Sequence, residues 1–584
     1  EKPMKKKETS PQRSDKIPAW LRRLKGNRFV VVALVALLLV LLVVGLYWLN
    51  RSKIRRQEEG SQLQVAVTSL PATLDPAENT TNQTETVLLH LFENLLRQER
   101  DSEGNTTLVG AQAESYDVEE IYDGTVKYTF HLRKNALWSD GKQVKAADFV
   151  YAWRRLAHPE NHYGSASFYL NMIQGYDEAV SSGDMSKLAV KALDDSTLQV
   201  TLSRRCTYFL SDTCTSGATM PLRQDMKDGW TMDPEQLISN GPYGLSQWRS
   251  GQCMLLEKSE TYYNLGLIKP KSIEFTCYET AESAYAAYEK KQEDFVLELP
   301  NEVVKEVSLK NLTQASGEKT DNDWDVNASL SSYAVLFNHQ AEGFSDPLVR
   351  QAFSLAIDRS ALLKALGGAK IIATGLVPYG VADDAKGQDF RTLGGDFYGV
   401  EAEDYSQAKE EAVKLLEQAG YPGGKGFPVV EYWYESTSEN AAVARQLQTM
   451  WKNVLGVTVT LRSFDSENWQ DALLLDGFHL MGYEMTAPYN DALYFLQPWT
   501  TEDPENWMHY SSHVYDLLIS ASINFSVEGT HSAYLHEAES LLMESYALAP
   551  LFYNTSSYAV RSGLSGLYND AEGHYFFYYV TEEG

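Results

Sequence analysis

The chain has 584 residues, a formal net charge of −28, and 43% hydrophobic and 12% aromatic residues, a composition that excludes disorder as the main state. The charge is split: residues 1–56 hold fourteen Lys/Arg against three Asp/Glu, which leaves 37 Lys/Arg against 76 Asp/Glu for the rest. So acidic a body repels phosphates and is excluded as a nucleic-acid binder, and its length exceeds the roughly 250–300 residues at which single cores stop growing.

In chain order, residues 1–28 read as a cytoplasmic basic segment. Phe29 to Leu49 is an uninterrupted run of 21 uncharged, mostly apolar residues ending in Tyr47-Trp48-Leu49. At about 1.5 Å per residue it spans about 31 Å, enough for a hydrocarbon core of about 30 Å. More basic residues lie before it than after it, which predicts the N-terminus inside and the body outside. A cleaved signal peptide would have a shorter apolar region and a small-residue cleavage site, and a lipoprotein would need a Cys just beyond the run, whereas the first is Cys206. The expectation is an uncleaved, single-pass signal anchor in the cell membrane at 29–49, a linker at 50–60, and a body on the extracellular face. Cys206, Cys214, Cys253 and Cys277 permit two short-range disulfides in an exported domain or four buried thiols, and both readings stay open.

Within the body, Val126, Tyr128, Phe130 and Leu132 alternate with polar residues, which predicts a half-buried strand. Trp138-Ser139-Asp140-Gly141 reads as a turn. Val144 to Leu156 has helical spacing, with Phe149, Val150, Trp153 and Leu156 on one face. A second helix is predicted from Asp346 to Leu363, capped by Ser345 or Asp346 with Pro347 in its first turn. A third starts near Ser406 and stops at Gly420, with Pro422 beyond. Val429–Tyr434 and Val457–Leu461 read as strands and Asn440–Leu455 as a helix, so strand and helix alternate as in α/β layers.

No zinc-binding HExxH, phosphate loop or nucleophile elbow occurs. His158 and His162 flank Pro159-Glu160 and read as surface loop, and Asp321 to Asp325 reads as a solvated loop because a calcium loop's Gly and Glu are missing. With 76 carboxylates, no chosen acid pair is informative. No catalytic residue, metal ligand or cofactor is indicated; a multi-domain exported α/β body rich in Tyr and Trp fits a ligand cleft between domains.

Tyr128 to Pro159, YTFHLRKNALWSDGKQVKAADFVYAWRRLAHP, resembles the signature segment of the extracellular solute-binding proteins of ABC importers, family 5, of the oligopeptide-binding type. Leu74-Asp75-Pro76-Ala77, Leu193 to Leu202, Asn240-Gly241-Pro242-Tyr243, Tyr333 to Arg359, Ala412 to Tyr421, Thr449 to Val457 and Tyr534 to Tyr553 resemble further family segments in the same order. The resemblance implies the two-lobed periplasmic-binding-protein-like fold of type II, cluster C, with an additional inserted domain, here preceded by one transmembrane helix. Carried onto this chain, lobe I is 61–95, 216–327 and 546–584, the inserted domain 96–215, and lobe II 328–545.

It also implies capture of oligopeptides between the lobes and delivery to an ABC permease with two ATPase subunits, in a Gram-positive cell. The ligand-binding residues implied are Asn82, Tyr163, Tyr434, Glu484, Met485, Thr486, Ala487, Tyr489, Asn490 and Asp491. Here the chain departs from the family: the Asp that holds a peptide's α-ammonium is Pro488, the motif's Trp is Met485, and a basic position found in some members is Gly482. Two readings follow: Glu484 or Asp491 supplies the carboxylate, or the ligand has no free α-amine there. Other solutes (a metal chelate, haem or an oligosaccharide) and a stand-alone sensor or adhesin are the alternatives.

Overall fold

The computed structural model describes residues 61–584 except 79–80, 101–105, 122–123, 305–323, 385–387, 400–401, 476, 526, 528 and 583–584. The apolar run 29–49 and Asp321 to Asp323 lie outside the described residues; among those described, no helix is long and apolar enough to cross a membrane. The chain divides into Glu1–Ser61 and Gln62–Gly584, and the architecture below is that of the second unit.

Two long strands organise it. Trp324–Phe337 and Leu548–Val560 run antiparallel, and their register shifts between Ala328 and Ser332. One end of the pair joins Phe295–Val296, which continues into Gln62–Val67, Ser272–Cys277, Cys253–Lys258 and Tyr243–Arg249. At the other end Ser331–Phe337 pairs with Leu480–Thr486, which continues into the parallel strands Val430–Glu435 and Val459–Phe464. One sheet thus spans two halves of the body, and among the described residues these two strands are the ones that belong to both. Helices cover the second half: Ser438–Leu455, for example, buries Val443, Leu447, Trp451 and Leu455, residues at helical spacing. This half is an α/β layer structure, as the alternation of strand and helix predicts.

A separate four-stranded antiparallel sheet holds Ala113–Glu120, Val126–Leu132, Thr197–Leu202 and Val190–Asp194, in that order. Val126, Tyr128, Phe130 and Leu132 are its buried positions. The helix Ala146–Ala157 packs on it through Phe149, Ala152, Trp153 and Leu156. Trp138, fully buried, donates its indole N–H to Asp148 Oδ2 at 3.0 Å, and the same oxygen accepts the Lys145 N–H at 2.9 Å. The turn and the helix of the signature segment are therefore tied by one carboxylate in the helix's first turn.

The helix expected from Asp346 to Leu363 is two helices, Pro347–Leu355 and Arg359–Leu366. Asp346 caps the first, and Asp358 stops the run by capping the second through the Ala361 N–H at 2.8 Å. The helix placed near Ser406 begins four residues earlier, at Ala402. The four cysteines are free thiols.

Candidate functional site

A cavity of about 700 Å³ opens where four parts of the chain meet. One wall is the first turn of the helix Asn82–Leu91, which supplies Asn82 and Glu85; Thr81 starts this helix by accepting the Thr84 N–H, and Thr84 bonds back. A second wall is the stretch from Asn161 to Tyr169, with His162, Tyr163, Phe168 and Tyr169. Thr486, Ala487 and Pro488 enter from the second half of the body, and Glu572 and His574 come from a hairpin near the C-terminus. That hairpin pairs Tyr568-Asn569 with Tyr575-Phe576, so its tip carries Asp570, Glu572 and His574.

The walls are held firmly. The Tyr163 hydroxyl donates to Asp75 Oδ2 at 3.1 Å, and the Arg155 guanidinium sits 5.0 Å from the Tyr163 ring centre while also bonding the fully buried Asp75. Asp75 of Leu74-Asp75-Pro76-Ala77 and Arg155 of the signature helix are thus one ion pair, and it orients a cavity tyrosine. Asn82 Nδ2 donates to the Glu572 carbonyl at 2.6 Å, which fastens the hairpin tip to the first helix.

The electrostatics are acidic. Glu78, Glu85 and Glu572 face the cavity. His574 reaches Asp570 Oδ2 with Nδ1 at 2.8 Å and Glu85 Oε2 with Nε2 at 3.5 Å. Burial pushes the His574 pKa down, but Asp570 and Glu85 more than offset this and hold it well above the ordinary histidine value. Burial pushes Glu85 up; the His574 charge and the Gly217 N–H bring it below the ordinary value. Burial raises Asp212 to about 6 and Glu572 well above the carboxylate range, with Asp570 and Asp212 adding to the Glu572 shift.

Of the residues implied by the resemblance, Asn82, Tyr163, Thr486 and Ala487 share this cavity. Glu484 lies on the long-strand junction, where it accepts Ser331 Oγ at 3.0 Å and Asn554 Nδ2 at 2.8 Å. Met485 and Tyr434 are packed in two cores of the second half. Tyr489, Asn490 and Asp491 turn away from the cavity, mainly to hold the segment that follows the strand Thr197–Leu202. The Tyr489 ring stacks on Tyr208 at 4.0 Å, the Asn490 N–H donates to Asp212 Oδ1 at 2.7 Å, and Asp491 takes the Thr207 hydroxyl and His531 Nε2, the latter at 3.0 Å. Pro488 contributes its carbonyl, which accepts the Tyr169 hydroxyl at 2.5 Å. Glu85, Asp570, Glu572 and His574 were not expected from the sequence; the signal was the alternation of Asp570, Glu572 and His574 in a turn between aromatic residues. His162, read as surface loop, lines the cavity from a short turn after Pro159–Asn161.

Residues 107–507 match the model of a family described as bacterial extracellular solute-binding proteins, family 5 Middle. The periplasmic oligopeptide-binding protein OppA of Escherichia coli is 29% identical over 485 residues, 82% of this chain and 84% of that protein. The probable deoxycholate-binding periplasmic protein YgiS of the same organism is 28% identical over 490 residues, 83% of this chain and 86% of that one. The unliganded open form of the periplasmic murein tripeptide-binding protein MppA of Escherichia coli aligns at a TM-score of 0.71 and 24% identity, over 90% of this chain and 98% of the other. That likeness establishes a two-lobed periplasmic-binding-protein-like α/β fold.

Proposed function

Because the chain belongs to the bacterial extracellular solute-binding proteins, family 5, we propose that it is the receptor subunit of an ABC importer and that its cavity takes oligopeptides. The observation that carries this reading is the cavity itself. Its volume of about 700 Å³ falls within the 300–1,000 Å³ usual for ligand sites, and both halves of the body line it. Tyr163, Phe168 and Tyr169 offer apolar faces for side chains, while Asn82, Thr486 and the glutamates offer polar partners. A ligand touching both walls favours the form in which the halves are together, and a permease can read that form. The relatives named above are binding proteins, and the chain is read likewise as a non-enzyme.

A second reading, a bile-acid receptor, is favoured only by the name of one relative. Deoxycholate carries a carboxylate, and Glu78, Glu85 and Glu572 oppose an anion there. The test is thermal unfolding of the full chain with a pool of tri- to pentapeptides and with deoxycholate. A peptide at a hundred times its Kd stabilises by about 2.7 kcal/mol; a shift with deoxycholate and none with peptides overturns the peptide reading.

We further propose that the run 29–49 tethers the body outside the cell and near its permease. Its apolar length and the basic flank before it support this. The expected outcome is that protease added to intact protoplasts digests the body, and that alkaline carbonate leaves the undigested chain in the membrane. Release by carbonate would rule out the tether.

A further inference from the structure

Behind the main cavity lies a small chamber of about 40 Å³. The two share Glu85, Tyr169, Pro488, Glu572 and His574, so the acidic group forms the partition between them. A chamber of this size exceeds the 10–15 Å³ that one water needs and suits a small head group. Glu572 is a residue of the partition with one carboxyl oxygen unanswered. Its Oε1 is closed to solvent and has no hydrogen-bond partner. The groups facing it are Asp570 and His574 on its own hairpin, Asp212 from the turn Phe209–Thr213, Glu85 from the first helix, and Tyr169. His574 is bonded to Asp570 and Glu85 and reaches Glu572 only through its charge, and Arg97 of the same chamber is bonded to Glu93 and Glu99, which leaves Glu572 with no bonded cation. A buried carboxylate without a donor is costly, and a ligand that brings donors and positive charge removes that cost.

We propose that Glu572, with Asp570 and Glu85 beside it, is the seat of a primary ammonium group of the bound ligand. This rests on the peptide reading above and deepens it. The seat sits next to Pro488 yet belongs to another part of the chain, so the carboxylate absent at 488 is supplied from the C-terminal hairpin. An ammonium suits the geometry better than a metal ion. Both nitrogens of His574 already point at carboxylates, and a metal would have to displace one of these contacts. The ammonium needs only acceptors, which the partition has in excess. Because burial and the neighbouring Asp570 and Asp212 hold Glu572 well above the ordinary carboxylate value, seating an ammonium expels a proton into solvent.

The experiment uses the full chain with two probes: the pool of tri- to pentapeptides with free amines, and the same pool N-acetylated. The free pool is expected to bind at least tenfold more tightly than the acetylated pool, with proton release seen by calorimetry in buffers of different ionisation enthalpy. In Glu572→Gln the two pools become equal and the proton release is lost. A cooperative unfolding transition and a wild-type far-ultraviolet circular dichroism spectrum of the ligand-free Glu572→Gln chain report that the variant is folded. Equal binding of both pools to the wild type overturns the seat and leaves the peptide reading standing; binding of neither pool overturns the peptide reading and the seat with it. Stabilisation by calcium or zinc chloride that Glu572→Gln abolishes, without preference for free amines, overturns the ammonium in favour of a metal.

Discussion

Asp491 and His531 form a charge pair in the protein interior, both under one-tenth exposed. Burial pushes Asp491 up, but the His531 charge and the Thr207 hydroxyl hold it below the ordinary carboxylate value. Burial pushes His531 down, but Asp491 raises it to about 9. Removing one partner strands the other, so His531→Leu is expected to cost about 3–5 kcal/mol in urea denaturation. The sign with pH follows from the raised histidine. Its contribution is fully present below its unfolded value near 6.5 and is lost as pH rises through 9. The gap between wild type and His531→Leu should therefore narrow from pH 6.5 to 9; a gap that stays constant would show that the imidazolium is not what stabilises the pair. The same residues explain why the site was only partly legible. Asp491 and Tyr489 belong to a segment that resembles a ligand-binding motif, yet here they bond Thr207, His531 and Tyr208, partners 40 or more residues away that no local pattern reveals.

At the scale of elements, the local patterns were the legible part. The strand Val126–Leu132 is visible as alternation, and the helix Ala146–Ala157 as a buried face, because burial on one side leaves a period in the sequence. The C-terminal hairpin left no such trace: its strands are two residues each, and aromatic residues flank it on both sides. A cap inside a long helical pattern was also missed, because Asp358 reads as one more polar residue until its carboxylate bonds the Ala361 N–H. Within the signature segment, Asp148 is the junction of turn and helix. Asp148→Ala removes the partner of the Trp138 indole, which stays buried, and the acceptor of the Lys145 N–H. The expected loss is about 1–3 kcal/mol by chemical denaturation. Asp148→Asn keeps one acceptor and should recover part of it. Gly241 makes a second test of an element junction. A Cβ there would lie 2.5 Å from the Leu91 backbone, where Gly241 donates its N–H to the Leu91 carbonyl at 2.9 Å. Gly241→Ala must therefore push two backbones apart, at about 1–3 kcal/mol, with a lower melting temperature as the readout.

At the scale of the molecule, the two halves share a continuous sheet through Trp324–Phe337 and Leu548–Val560, whose pairing is irregular between Ala328 and Ser332. This junction of two strands does not by itself fix how the rest of the chain meets the second half. What does so is the cluster beside the cavity: Tyr169 on the Pro488 carbonyl, Asp212 on the Asn490 N–H, Thr207 on Asp491, and Tyr208 stacked on Tyr489. On the proposed reading of a receptor that closes on its ligand, these contacts beside the cavity add to the closed form, and their strength sets how much of the population is closed before ligand arrives. Tyr208→Leu keeps an apolar side chain but removes the stack, which is worth about 0.5–1.5 kcal/mol beyond area. The closed fraction should fall by about 2- to 12-fold relative to the open one. Small-angle scattering of the ligand-free chain would read this as a larger radius of gyration, and Tyr489→Leu should produce the same change. If the stack is the cause, the double variant adds little to either single one, because both remove one interaction. Additive changes, or unchanged scattering in Tyr208→Leu, would mean that the remaining three contacts close the cavity without it.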